Sequence, residues 1–100
     1  MNDLVRQAQI MQKKISKLQE ELAEREVEGA AGGGMVTVKA SCNQEVRSIA
    51  IDRTVVDPED VEMLQDLVLA AVNEALKTAK ETQQKEMQAL TGGMNIPGMF

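Results

Sequence analysis

The sequence predicts an α+β fold in the order helix, three antiparallel strands, helix. Three observations carry this. An apolar stripe at heptad-like spacing fills the first quarter of the chain, segments of alternating polarity follow, and a long stretch free of Gly and Pro occupies most of the second half. One hundred residues suit a single domain with a modest core, near the size at which subunits often share one.

The first helix is expected from about residue 3 to 24. Leu4, Ala8, Met11, Ile15, Leu18 and Leu22 fall at spacings of 4, 3, 4, 3 and 4, with no Gly or Pro between them. At 100° per residue this stripe covers roughly 80° of arc, a narrow seam suited to one partner helix. On the same wheel Arg6, Lys13 and Lys17 lie within about 40° of one another, opposite the seam. Lys14 sits to one side. A solvated face is the bland reading of such a ridge.

After Val27 the pattern alternates. "MVTVKAS" sets Val36, Val38 and Ala40 on one side and Met35, Thr37 and Lys39 on the other, as a half-buried strand does. "CNQE", Cys42 to Glu45, supplies a turn, and "VRSIAID" gives another strand with Arg47, Ile49 and Ile51 on one face. A shorter strand around Glu26 to Ala30 precedes these two, completing an antiparallel meander. The glycine run "GAAGGGMV", Gly29 to Val36, fits neither phosphate-binding cradle. A P-loop needs Gly-Lys-Ser/Thr opening a helix, and a dinucleotide fingerprint also leads into a helix, whereas Gly34 leads into a strand. With strand-like sequence on both sides, Gly32 to Gly34 instead supply the positive φ angles of a tight hairpin turn.

"TVVDPEDVEML" opens the second helix. Asp57 is the expected N-cap, Pro58 suits the first helical position, and Glu59, Asp60 and Glu62 complement the positive end of the helix dipole. Capping accounts for each of these carboxylates, and the chain has no His to join them at a metal. The helix is expected to run from Pro58 to about Leu90. Val61, Leu64, Val68, Ala71, Ala75 and Ala79 trace its apolar face, widened by Leu67, Val72 and Leu76. Such a helix spans about 50 Å against about 23 Å for a strand of seven residues, so its second half projects beyond the sheet. The stretch "ETQQKE" is polar all round, and the first helix is its natural partner. The domain is thus expected over residues 1–91, with 92–100 a flexible apolar tail carrying Met94, Ile96, Met99 and Phe100.

Composition narrows the function. Without His the usual general base is missing, and Cys42 has no conspicuous activating neighbour in sequence, so no enzyme is expected. The single Cys forms no internal disulfide. No signal peptide or membrane-spanning run is visible, which points to a cytoplasmic protein. The net charge is −5, yet it is unevenly spread. Residues 1–19 carry Arg6, Lys13, Lys14 and Lys17 against Asp3, while the acid concentrates in residues 20–28 and 57–66.

Taken together, "GAAGGGMVTVKAS", "VRSIAID", "MLQDLVLAAVNEALKTAKE" and the closing "GGMNIPGMF" resemble, in order and spacing, the YbaB/EbfC family of bacterial nucleoid-associated proteins over essentially the full chain. The resemblance implies an α-β-β-β-α homodimer with projecting helical arms. It also implies binding of double-stranded DNA with weak or variable sequence preference, nucleoid organisation and modulation of gene expression, without cofactor, metal, membrane or small-molecule substrate. The arm helices are then the DNA contacts: Arg6, Lys13, Lys14 and Lys17 on the first, and secondarily Lys77, Lys80 and Lys85 on the second. The alternative is a dimeric protein-interaction module that recruits a partner through its acidic surface or apolar tail.

Overall fold

The computed structural model describes residues 2–92. Its elements are α1 (Asn2–Glu24), β1 (Glu26–Ala31), β2 (Val36–Ser41), β3 (Val46–Ile51), a 3-10 turn (Arg53–Val55) and α2 (Val61–Thr91). The strands form one antiparallel sheet in the order β1-β2-β3, the expected meander.

Alternation along β2 decides the core. Val36, Val38 and Ala40 are buried to the last atom and pack on Ala71 and Ala75 of α2, with Val55 closing one end. Small residues let the two layers approach closely. A Cβ on Gly29 would stand 2.3 Å from the backbone N of Ala75 and 2.6 Å from the carbonyl O of Ala71, so β1 touches the helix backbone itself. The first glycine of the run is therefore a packing residue inside a strand. Gly32, Gly33 and Gly34 form the turn, with φ of 63°, 66° and 93°.

Two features of the β3 side depart from the sequence pattern. A β-bulge between Lys39 and Ala40 places Val46 opposite Ala40, so simple alternation of Arg47 with Ile49 and Ile51 fails. The Arg47 guanidinium instead donates to the carbonyl of Ala23 at 2.9 Å, at the C-terminus of α1. Moreover, α2 lies across β1 and β2, leaving every residue of β3 exposed. Ile49 and Ile51 face the same way as their buried partners Val38 and Val36, but remain 46% and 42% exposed.

The start of α2 also differs from expectation. Asp57 caps a turn, its carboxylate accepting from Glu59 N–H at 2.9 Å while Asp60 N–H reaches the Asp57 carbonyl. Pro58 belongs to that turn, as its fixed φ allows. The helix begins three residues later, with Asp60 accepting from Met63 N–H at 3.2 Å, and Val61 at its mouth is exposed. At the far end Gly92 adopts the left-handed conformation and its N–H bonds to Ala89, stopping the helix at the expected glycine. The tail expected beyond it lies outside the described residues.

With 31 residues α2 is about 46 Å long, whereas each six-residue strand covers about 20 Å. Its C-terminal part therefore runs past the sheet, and α1 comes in alongside. Cys42 N–H donates to the carbonyls of Leu22 and Arg25 at 3.0 and 2.9 Å, and Arg25 pairs with Glu86 at 3.0 Å. Partnership of the two helices is nonetheless confined to the root of α1. Leu22 is 2% exposed, Leu18, Ile15 and Met11 are half-buried, and Leu4 is 70% exposed. The seam outlasts its partner because α2 stops at Thr91. The molecule is accordingly elongated, 69 × 23 × 16 Å, with a radius of gyration of 18.7 Å against about 13 Å for a compact chain of this length.

Candidate nucleic-acid interface

The free part of α1 carries the basic residues. Its helical geometry projects Arg6, Lys13 and Lys17 from the side opposite the seam, and all three side chains are exposed, as is Lys14 on the flank. From Arg6 to Lys17 the ridge measures about 16 Å, comparable to four or five phosphate steps along one DNA strand. Gln9, Gln12, Ser16 and Glu20 share this polar surface. Among the described residues, the one side-chain ion pair is that of Arg25 with Glu86, so none of the α1 cations is held in an ion pair, and Glu20 is the carboxylate that shares their surface.

The lysines of α2 sit in a different electrostatic setting. Lys77, Lys80 and Lys85 are exposed, but Glu74, Glu81 and Glu86 are interleaved with them, leaving that stretch neutral. Lys80 and Lys85 lie toward the part of α2 that passes the sheet, while Lys77 precedes Ala79, the last of its buried alanines. Arg25 and Arg47 are held by the α1–α2 and α1–β3 joints and serve as anchors of the arm. Sequence spacing alone gave no sign of either joint.

No other chemistry competes for this surface among the described residues. No group of His, Cys, Asp and Glu there is arranged to hold a metal, and no helix is long and apolar enough to cross a membrane. Cys42 is buried at the joint of the arm, where desolvation pushes its thiol pKa up, partly offset by the nearby Arg25 charge.

Comparison with known proteins bears on the family and the fold. The model of the YbaB/EbfC DNA-binding family matches residues 1–94. The chain belongs to the YbaB/EbfC DNA-binding family. It is 60% identical over 100 residues to a nucleoid-associated protein of Alkaliphilus metalliredigens, covering all of this chain and 88% of that protein. A nucleoid-associated protein of Clostridium novyi is 59% identical with the same coverage, and one of Thermoanaerobacter pseudethanolicus is 54% identical over all of this chain and 90% of its own. Among solved structures, an uncharacterized protein of Helicobacter pylori superposes with a TM-score of 0.81 at 26% identity, over 92% of this chain and 97% of that one. That similarity supports the α-β-β-β-α fold of this chain. The family to which the chain belongs is a DNA-binding family.

Proposed function

We infer that this YbaB/EbfC protein is a homodimeric, nucleoid-associated binder of double-stranded DNA, working in the cytoplasm, whose α1 arms lie against phosphates. The observation that carries the reading is the exposed ridge of Arg6, Lys13 and Lys17, held in no described ion pair, on a helix that stands clear of the body, flanked by Lys14. Lys77, Lys80 and Lys85 are secondary contacts, because acidic neighbours cancel their field. Three of the four α1 cations are lysines, point charges that sense phosphate density more than base identity, so affinity is expected to vary little with sequence. Such binding would organise DNA broadly and modulate expression through occupancy.

Homodimerisation rests on the uncovered flank of the sheet. Ile51 of β3 adjoins Leu64, Val68, Leu69 and Val72 of α2, and Ile49 is exposed on the same strand, an apolar surface beside an unpaired strand edge. Exposed apolar area next to free backbone donors and acceptors favours association, and a twofold interface would meet it with the same surface. Sedimentation at micromolar concentration should give twice the chain mass, and Ile49→Lys should shift it toward the monomer. A compact wild-type monomer would refute the dimer.

The DNA test is Arg6, Lys13 and Lys17 all replaced by Gln. A dimer presents six ridge charges. If about four to six contact phosphates, log affinity should fall against log salt with a slope of roughly −4 to −5 for wild type. The variant should keep helix content and mass, bind unrelated duplexes more weakly to a similar degree, and show a flatter slope. Unchanged binding would remove α1 as the site and direct the same test to Lys77, Lys80 and Lys85. Failure of both would favour recruitment of a protein partner.

A further inference from the structure

The root of α1 is short of positive charge. A helix C-terminus gathers negative potential from its unpaired carbonyls, and a basic side chain in the last turn ordinarily offsets it. The last turn of α1 holds no basic residue, and Glu21 and Glu24 add acid there. Backbone groups meet two of the terminal carbonyls: Arg25 N–H donates to Glu21 and Cys42 N–H to Leu22, each at 3.0 Å. The carbonyl of Ala23 is met by a side chain from another element, the Arg47 guanidinium at 2.9 Å. A β-bulge delivers it. Val46 stands opposite Ala40 and Ser48 opposite Lys39, so Arg47 is the extra residue of β3, with no partner on β2. In a regular strand it would share the face of Ile49, but as the bulged residue it is released from that alternation and reaches α1.

We propose that Arg47 is a positioning residue for DNA binding, a charged cap supplied by β3 that fixes the tilt of the α1 arm without itself touching DNA. The proposal rests on α1 being the DNA contact. Leverage makes the tilt matter. Arg6 lies about 26 Å from Ala23 along the helix, so a tilt of about 10° at the root moves it by roughly 4–5 Å, more than the ~3.4 Å axial step between phosphates of one strand. The other contacts of the arm do not fix this angle. Leu18 and Ile15 hold α1 beside α2 through half-buried apolar packing, which is non-directional. Leu22, 2% exposed, and its carbonyl bond to Cys42 make a pivot. The Arg25–Glu86 pair is exposed, so salt screens it under the conditions in which DNA is bound. The bond from Arg47 is charge-assisted and directional, and it meets the helix at its end, beyond the pivot.

The test compares the full chain with Arg47→Gln and Arg47→Lys, and reads the arm first without DNA. Arg47 is exposed, so Gln leaves the core intact. Residual dipolar couplings of the backbone amides report how α1 is oriented against the sheet. In the wild type a single alignment tensor should fit α1, the strands and α2. Arg47→Gln should need a rotated or weaker tensor for α1 while the strands and α2 keep theirs, and Arg47→Lys, which retains a cationic donor, should restore the common fit. If Gln leaves the arm seated about a third to a tenth of the time, duplex affinity falls about three- to tenfold, alike on unrelated sequences. The slope of log affinity against log salt should stay that of the wild type, because no phosphate contact is removed. A slope flatter by about 0.9 per lost contact would make Arg47 a phosphate ligand and overturn the proposal. So would a common tensor in Arg47→Gln, or a displaced arm that binds as tightly as the wild type. Wild-type protein that binds no duplex would instead remove the DNA reading and this role together, with the couplings still deciding whether Arg47 sets the arm. Binding lost in the triple ridge variant but unchanged in Arg47→Gln overturns the proposal alone.

Discussion

Substituting Gly29 by Ala adds a single methyl group at the closest approach in the fold. That Cβ would lie 2.3 Å from Ala75 N, 2.6 Å from Ala71 O and 2.8 Å from Ala75 Cα, all backbone atoms of α2. Ordinary non-bonded contacts need about 3.5 Å, so the helix must retreat by roughly 1 Å and loosen its packing on Val36, Val38 and Ala40. Overpacking of this kind costs about 1–3 kcal/mol, and a neighbour that is backbone cannot escape by changing rotamer, which places this site at the upper end. Ala would return about 0.4–1 kcal/mol by restricting the unfolded chain. The net expectation is a loss of about 2–3 kcal/mol. With an m-value near 1.5 kcal/mol/M, the urea midpoint at fixed protomer concentration should fall by roughly 1.3–2 M. Gly33→Ala is the control. Its φ of 66° demands the left-handed region, but nothing lies within 4 Å of the added Cβ. Conformational strain of about 1–2 kcal/mol, partly offset in the unfolded state, leaves a loss of about 1 kcal/mol there. Should Gly29→Ala cost no more than Gly33→Ala, the close approach of β1 to α2 is wrong.

Leu22→Ala, at the buried root of the arm, should lower unfolding free energy by about 2–5 kcal/mol, whereas Lys14→Ala should stay within about 0.5 kcal/mol in the same urea titration. Asp60→Ala removes the N-cap of α2 and should cost about 1 kcal/mol, with helix content at the start of α2 followed by amide exchange. The Asp52 carboxylate accepts from the N–H and hydroxyl of Thr54 at 2.9 and 2.7 Å, and the backbone bond is the larger cause of its lowered pKa. The folded state therefore binds that proton less tightly than the unfolded state. Its contribution is complete above about pH 4 and is lost as pH falls through the lowered value, so Asp52→Asn should flatten the acid limb of stability measured by urea midpoint. Cys42 is buried with a raised thiol pKa, and its reaction with a disulfide reagent should follow the unfolding curve; rapid labelling of the native protein would contradict its placement.

Much of the fold was legible because its causes are local. The 3-4 spacing from Leu4 to Leu22 marks α1, the alternation of Val36, Val38 and Ala40 marks the buried face of β2, and Gly32 to Gly34 and Gly92 mark positions that require positive φ. Local chemistry also misled where two solutions were open. Asp57-Pro58 suits both a helix start and a turn, and the chain uses it as the turn because Asp60, three residues on, offers a second cap. The basic ridge of α1 was likewise readable, since it needs only helical periodicity, but periodicity could not tell that α2 leaves the outer part of that helix alone.

The sequence by itself determined the elements, their order and the faces of the helices, since each depends on neighbours within a few residues along the chain. The tertiary structure decided what those faces meet. Gly29 became a contact residue only when Ala71 and Ala75 came to lie on it. Ile49 and Ile51, with the same pattern as a core strand, stayed half-exposed because the lateral seat of α2 covers β1 and β2 and ends there. Arg25 and Arg47 became anchors of the arm because a register between distant segments brought Glu86 and the Ala23 carbonyl to them. Separations of 61 and 24 residues leave no periodic trace, so such pairings appear only once the chain has closed on itself.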